Sequence, residues 1–138
     1  MQEYVCCLLW GVFTLLWWQF SRKAQALESK IQVLTTARAQ WDSHRFDRYQ
    51  LTFNYQSHDQ NCQQDAIIQY HGDKEQFVSS TRCIPVSVQR MFDQIEFYLK
   101  WNANCCPCRG HYEVNVTYNA EQGYPEEVTI WAVSDGYH

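Results

Sequence analysis

Cysteines are the residues of this chain with the clearest potential for chemistry, and there are seven of them. Cys6 and Cys7 lie in an apolar N-terminal stretch, where a thiol serves as a small apolar side chain or, less often, as an acylation site. Cys62 and Cys83 lie on either side of a predicted hairpin, and the remaining three lie between positions 105 and 108. These three groups predict different chemistry.

Cys62 and Cys83 are placed to form a disulfide. The dipeptide Gly72-Asp73 predicts a two-residue hairpin turn, and the two cysteines are equally far from it, so they face each other. Counted outward from the hydrogen-bonded pair His71 and Lys74, they occupy a non-hydrogen-bonded position, where Cα atoms lie about 4.5 Å apart. A bridge there contributes about 3 kcal/mol by closing a loop of about twenty residues. The alternative, two separate thiols, follows from a one-residue slip of the strands.

Cys105, Cys106 and Cys108 occur in the segment NCCPCRGH and allow three interpretations. The leading one is a structural disulfide between Cys105 and Cys108, with Cys106 free or bonded to another chain. The second is a redox-active Cys-x-x-Cys pair, although such dithiols normally lie at a helix N-terminus, and this segment follows a predicted helix. The third is a zinc site in which His111 joins the three thiolates, although the paired knuckles typical of zinc sites are missing.

The chain contains no residue set typical of a catalytic site. It lacks the motifs G-x-x-x-x-G-K, G-x-G-x-x-G, H-E-x-x-H and G-x-S-x-G. Its five histidines are scattered, and none has an acid or a nucleophile at a spacing that indicates a triad. We therefore predict a protein that is not an enzyme and that uses no metal and no cofactor.

An uncharged stretch, Tyr4–Phe20, precedes all of these features. Its seventeen residues would rise about 26 Å as a helix, close to the roughly 30 Å of a bilayer's hydrocarbon core. Trp17 and Trp18 lie at its end and Arg22 and Lys23 follow, which is the order typical of a membrane interface. We predict a retained transmembrane anchor. A cleaved signal peptide is the alternative, but signal peptides avoid cations next to the cleavage site.

The chain is predicted to have three parts: a transmembrane anchor over residues 1–20, a helical neck over 21–45 and a globular head over 46–138. The net charge of −4 combines a basic neck with an acidic head, and an acidic head argues against nucleic-acid binding. The predicted partners are the lipid bilayer and other membrane-protein subunits. The basic neck favours a cytoplasmic head, whereas the cysteines favour the periplasm or lumen, which we prefer.

Periodicity in the neck and head predicts an α+β fold. An apolar seam in the neck comprises Leu27, Ile31, Leu34 and Trp41. Strands are predicted at Arg48–Ser57, Asp65–His71, Lys74–Arg82, His111–Tyr118 and Val128–Val133, and a helix at Ser87–Trp101. Asp93 and Glu96 fall on the polar side of that helix and are expected to face solvent. The order α-β-β-β-α-β-β predicts an antiparallel five-stranded sheet with helices packed on one face.

The last predicted hairpin resembles a known family. It contains Val116-Thr117-Tyr118-Asn119, then Gly123-Tyr124-Pro125, then Val128-Thr129-Ile130. Ala37–Trp41 and Met91–Glu96 add to the similarity, which covers residues from about 37 to about 133. The pattern resembles the small secreted and lipoprotein domains, mostly bacterial, known as domain of unknown function 6174. The resemblance implies an α+β fold and extracytoplasmic placement but no activity. The chain departs from it in having Asn119 where Asp is usual and in lacking a lipobox.

Together these patterns predict a single-pass, membrane-anchored, non-catalytic domain. It would act as an interaction module or as an accessory subunit of a larger membrane protein complex. One alternative is a thiol-disulfide oxidoreductase that uses the Cys105–Cys108 pair. Another is an extracytoplasmic domain that binds a small ligand on its sheet face.

Overall fold

The computed structural model describes residues 2–44, 46–78, 84–104 and 110–133, with side chains from residue 13 onward. Two helices and five strands follow one another in the predicted order. They are α1 (Gln2–His44), β1 (Arg48–Gln56), β2 (Asn61–His71), β3 (Lys74–Phe77), α2 (Val88–Asn104), β4 (His111–Tyr118) and β5 (Pro125–Val133). The α+β class is therefore confirmed.

Helix α1 is continuous through the predicted boundary between anchor and neck. Its C-terminal half contains no Gly or Pro, and its apolar seam faces the rest of the domain as the spacing predicts. Leu34, Ala37 and Trp41 are buried there, and Leu27 and Ile31 are partly buried against the same cluster. The predicted boundaries of the three parts, at residues 20 and 45, stay a prediction.

The prediction of a transmembrane helix is wrong. Among the described residues, no helix is both long enough and apolar enough to cross a bilayer. Helix α1 continues from its apolar turns directly into turns that carry Arg22, Lys23 and Glu28, and charged side chains are costly inside a bilayer. The finding also contradicts the predicted single-pass membrane location, which rested on the same stretch.

The described strands pair in two antiparallel sheets, of order β1-β2-β3 and β4-β5, so a single five-stranded sheet is not confirmed. The predicted alternation holds in β1 from Tyr49 to Phe53, although Tyr55 is exposed, and it holds along the whole of β4. In β4 the side chains of Tyr112, Val114, Val116 and Tyr118 face inward and those between them are exposed. β5 begins at Pro125, earlier than predicted, because Pro125 still pairs with Tyr118 across an irregularity in the ladder.

The hairpin between β2 and β3 has the predicted turn and register. Gly72 has a φ of 63°, the conformation that a tight hairpin turn requires of its glycine. Facing pairs run from His71 and Lys74 to Ile68 and Phe77, and the Val78 N–H continues the ladder by donating to the Ile67 carbonyl at 2.9 Å.

Helix α2 lies at the centre of the core. Its buried residues recur at the predicted spacing and are Val88, Phe92, Ile95 and Leu99. They contact the buried seam of α1 on one side and Val114 of β4 on another. The first turn of α2 is capped by Ser87, whose hydroxyl accepts a hydrogen bond from the Arg90 N–H at 3.2 Å.

Candidate interaction surface

The N-terminal part of α1 that the structure describes carries large apolar side chains on all sides. Phe13 is 71% exposed, Trp17 71% and Phe20 78%, and Leu15, Leu16 and Trp18 are also more than half exposed. At 3.6 residues per turn these six positions surround the helix axis. We call residues 13–20 the apolar end of α1. A helix that is apolar all round is normally buried, so this segment has the character of an interface.

The residues predicted to lie at a membrane interface all lie on exposed helix here. The guanidinium of Arg22 lies 3.6 Å from the centre of the Trp18 ring, a cation–π contact worth about 0.5–1 kcal/mol at an exposed site. Trp17 and Lys23 are exposed beside them. Trp18 and Arg22 lie one helical turn apart, so this cation–π contact explains why a cation follows the tryptophan without requiring a bilayer.

The cysteine predictions fall largely outside the described residues. Cys62 lies in β2 opposite Tyr55 and is disulfide-bonded. Its predicted partner, Cys83, is not among the described residues, so the pairing stays a prediction. No disulfide joins two described side chains, because Cys62 is the only cysteine among them. The confirmed register as far as Ile67 and Val78 is the one that places Cys62 opposite Cys83.

The predictions for Cys105 and Cys108, whether structural disulfide, redox pair or zinc ligands, also lie outside the described residues. His111, the proposed fourth ligand, begins β4 and is exposed. Within the part of the chain that is described, no group of three His, Cys, Asp or Glu side chains could hold a metal ion.

The loop between β4 and β5 is held against α1 by a close backbone contact. A Cβ atom on Gly123 would clash with the Ala37 carbonyl oxygen, and Gly123 has a φ of 82°. The Gln40 amide donates to the carbonyls of Ala120 and Glu121 at 2.9 and 2.7 Å. Tyr124 then packs edge-on against the Trp41 ring at 6.0 Å. The Gly-Tyr-Pro motif is therefore structural, since it docks the loop on the helix.

Asn119 organises the same loop from inside. Its side-chain oxygen accepts hydrogen bonds from the backbone N–H groups of Glu121 and Gln122 at 3.0 and 2.8 Å. Its amide donates to a Glu126 carboxylate oxygen at 2.7 Å. An Asp at this position accepts the same two backbone bonds but carries no amide to donate. The departure from the family's usual Asp therefore preserves the turn and adds one bond to Glu126.

Asp93 is exposed as predicted, whereas Glu96 is half-buried, and both carboxylates form ion pairs with cations. Arg38 of α1 donates to Asp93 at 2.8 Å and to Glu96 at 3.1 Å, and its guanidinium lies over the Phe92 ring at 5.4 Å. Lys100 also reaches Glu96, at 2.8 Å. The hydrogen bonds from Lys100 and Arg38 hold the pKa of Glu96 below its ordinary value. The signal in the sequence was Arg38 itself, a cation in an apolar seam.

A polar network joins the first sheet to the start of α2, and the sequence patterns did not reveal it. The Tyr49 hydroxyl accepts a hydrogen bond from the Val88 N–H at 3.1 Å. Tyr70 donates to Glu75 at 3.0 Å, and Glu75 pairs with Arg90 at 3.3 Å. Burial raises the pKa of Tyr49. Burial also raises the pKa of Tyr70, and the hydrogen bonds of Tyr70 with Tyr49 and Glu75 raise it further. Both hydroxyls therefore stay neutral and serve as structural hydrogen-bonding groups.

Two adjoining cavities lie along α1 beside β4. The first has a volume of about 350 Å³, and its walls include Lys30, Val33 and Val116. The second, of about 410 Å³, continues toward the β4–β5 loop and shares Val33 and Tyr118 with the first. Burial raises the pKa of Tyr118 to about 12. The two cavities share lining residues and form one open groove along α1.

The comparisons with known proteins define the family and nothing more specific. A family model described as a family of unknown function, DUF6174, matches residues 33–135. The chain belongs to the DUF6174 family. A search of curated proteins and a search of solved structures each give no match.

The DUF6174 match begins at Val33, one residue before the buried part of α1. The matched residues therefore contain all of the buried core, both sheets and α2. The apolar end of α1 lies outside them. The molecule is thus a DUF6174 domain whose first helix extends beyond the family domain and carries exposed apolar side chains.

Proposed function

We propose that the protein is a non-catalytic interaction module, an accessory subunit of a larger protein complex that is held there by the apolar end of α1. The observation that carries this proposal is the exposure of six large apolar side chains around one helix. Burying each of them in a partner contributes about 1.5–3 kcal/mol. Such side chains are costly in water and add nothing to the folded domain, so their use lies in association.

The geometry supports a role for the DUF6174 domain as the rigid part of the module. The domain holds α1 through three kinds of contact: the buried seam, the ion pairs of Arg38, and the backbone contact at Gly123. These contacts fix the direction in which the apolar end projects.

Site-specific crosslinking tests the proposal. A photo-crosslinking amino acid is placed at position 16, in the apolar end, or at position 35 as a control, on the exposed side of α1 inside the family domain. We expect position 16 to give a covalent adduct with one partner protein in the cells that produce the chain, and position 35 to give none. An adduct with lipid alone, with a second copy alone, or with nothing would overturn the proposal.

A set of substitutions provides the matched control for folding. In the variant Leu15→Gln, Leu16→Gln, Trp17→Gln and Phe20→Gln, the partner should no longer co-purify. These side chains are exposed, so the free energy of unfolding of the domain should change by less than about 0.5 kcal/mol. A variant that retains the partner would contradict the assignment of this surface.

Of the alternative functions, ligand binding is supported by the groove beside β4, whereas thiol-disulfide exchange has no supporting observation in the described residues. The groove is open and combines apolar and polar walls. Its position beside the edge of a strand favours an extended peptide over a small ligand.

A further inference from the structure

Strand β4 has one edge that no other strand covers in the described chain. It pairs with β5 alone. The Tyr112 N–H donates to the Asn102 side-chain oxygen at 2.8 Å, and the Tyr112 carbonyl accepts from the Asn102 amide at 2.6 Å. Both backbone groups of Tyr112 therefore point away from β5. Backbone groups alternate in direction along an antiparallel strand. Those of Val114 and Val116 therefore point to the same outer edge.

The hydrogen-bonding groups on this edge are only partly satisfied. Lys30 of α1 donates to the Val114 carbonyl at 2.7 Å. The Val114 N–H and both backbone groups of Val116 have no hydrogen-bond partner among the described residues. The edge therefore offers two N–H donors and one carbonyl acceptor in a row, and the backbone of an extended peptide has donors and acceptors at the matching spacing.

The edge faces a groove rather than open solvent. The cavity of about 350 Å³ runs beside it and is closed on the other side by Ser29, Lys30 and Val33 of α1. Leu99 and Val116 contribute an apolar floor. The second cavity extends the groove along α1 toward Ala120. An extended chain needs such a long, narrow shape.

The opposite edge of the same hairpin differs in its side chains. β5 begins with Pro125, Glu126 and Glu127, and a proline and adjacent charges discourage pairing at a strand edge. β4 has no proline and no lysine of its own. The two edges are therefore not equivalent, and the unprotected edge is the one with a groove beside it.

We propose that the outer edge of β4 binds an extended peptide segment of a partner protein by strand addition. Backbone hydrogen bonds to Val114 and Val116 supply affinity, and the groove selects segments in which apolar and polar residues alternate. The apolar residues face Val33 and Leu99, and the polar residues face solvent. This surface is separate from the apolar end of α1, and the inference does not rest on the proposed function.

The groove favours a single peptide strand over a second copy of this chain. Its far wall is α1, and a second copy would bring its own α1 to the same side of its own β4. Two such edges cannot approach to the 4.7–4.9 Å spacing of paired strands without displacing both helices. A peptide strand carries no helix and meets no such obstacle.

The experiment uses the full chain and a displayed library of peptides of about seven residues, with Val, Ile or Leu alternating with Ser, Thr or Lys. We expect selected peptides to bind and to slow hydrogen exchange at the amides of Val114 and Val116. Methylation of alternate backbone nitrogens of a selected peptide removes the N–H that donates to the Val116 carbonyl. It should weaken binding by about tenfold or more, whereas methylation of the intervening nitrogens should have less effect.

Two proline variants form a matched pair. Val116 and Val128 face each other across the hairpin, and at both positions the N–H points away from the other strand. Val116→Pro removes a donor on the β4 edge and should abolish binding. Val128→Pro removes the equivalent donor on the β5 edge and should leave binding unchanged.

Because Val116 is also partly buried in the core, the methylated peptides provide a test that does not depend on this variant. The inference is overturned if no peptide is selected. It is also overturned if both methylation patterns weaken binding equally and bound peptide does not slow hydrogen exchange at the Val114 amide. It is also overturned if the chain dimerises through β4 in the absence of peptide.

Discussion

Gly123 illustrates how much a single residue contributes to this fold. Its positive φ turns the chain into β5, and its missing Cβ lets the loop touch the α1 backbone. Both properties are needed at the same position, because any side chain there would lie against the Ala37 carbonyl. The glycine of the family's hairpin is therefore explained by packing of the loop on α1.

Replacement of Gly123 by alanine should destabilise the protein far more than the same change at Gly72. Gly123→Ala meets the Ala37 oxygen in addition to the cost of a positive φ, and we expect the free energy of unfolding to fall by about 3 kcal/mol or more. Gly72 also has a positive φ, of 63°, but a Cβ there would meet nothing within 4 Å. Gly72→Ala should cost about 1 kcal/mol. Urea unfolding of both variants checks this, and equal losses would contradict the packing argument.

Glu96 makes the stability of the protein depend on pH. Its pKa in the folded chain is lowered from the ordinary 4.5 by Lys100 and Arg38. The folded state therefore binds the proton less readily than the unfolded state, so the stabilisation is present above pH 4.5 and is lost as pH falls through the lowered pKa. In Glu96→Gln the decline of unfolding free energy between about pH 5 and about pH 2 should be smaller than in the wild type.

Glu28 provides the control for this measurement. It lies on the exposed face of α1 and makes no ion pair among the described residues. Glu28→Gln should follow the wild-type pH dependence. If Glu96→Gln and the wild type declined in parallel, the two cations would not be stabilising Glu96.

At the scale of elements, α2 is positioned by side chains that replace strand pairing. Gln64 on β2 is fully buried, and its side-chain amide binds the backbone of Val86, which precedes α2. The amide donates to the Val86 carbonyl at 2.9 Å and accepts from the Val86 N–H at 2.8 Å. Asn102 does the same for Tyr112 at the other end of α2. Two amide side chains thus satisfy the backbone where no strand does.

Gln64→Leu should therefore be costly although it places an apolar side chain in the core. It leaves the N–H and the carbonyl of Val86 without partners, and we expect a loss of about 2–3 kcal/mol. Gln50→Leu on the neighbouring strand removes only an exposed bond to Asp65 and should change stability by less than about 0.5 kcal/mol. Thermal unfolding monitored by circular dichroism compares the two, and a stabilised Gln64→Leu variant would refute the proposed role of Gln64.

At the scale of the whole molecule, α1 belongs to two environments. From Leu34 to Trp41 it is part of the core, whereas from residue 13 to 26 its side chains are exposed except for the half-buried Ser21. An isolated helix of that length is marginally stable in water. We therefore expect the apolar end to be less stable than the part of the helix that the core holds.

Hydrogen exchange should reveal this division directly. In the dilute isolated chain we expect amides of residues 13–26 to exchange at least about a hundredfold faster than those of residues 34–41, which are held by the core. Binding of a partner to the apolar end should remove most of the difference. Equal protection of the two segments in a dilute monomer would mean that the apolar end is already covered, contrary to the exposure described above.

Features that depend only on neighbouring residues could be predicted from the sequence alone. The period of two predicted β1 and β4, the helical period predicted α2, and Gly72-Asp73 set the turn and register of the β2–β3 hairpin, because each is encoded within a few residues. The Gly-Tyr-Pro hairpin indicated the family. The apolar stretch near the N-terminus misled for the same reason, since local composition alone does not say what surrounds a helix.

The tertiary structure decided everything that joins distant segments. It grouped the strands into two sheets, placed Arg38 between Asp93 and Glu96, buried Gln64, and brought Gly123 against Ala37. These partners lie from 22 to 86 positions apart in the chain. No periodicity spans such distances, because the contacts depend on how the elements pack after they form.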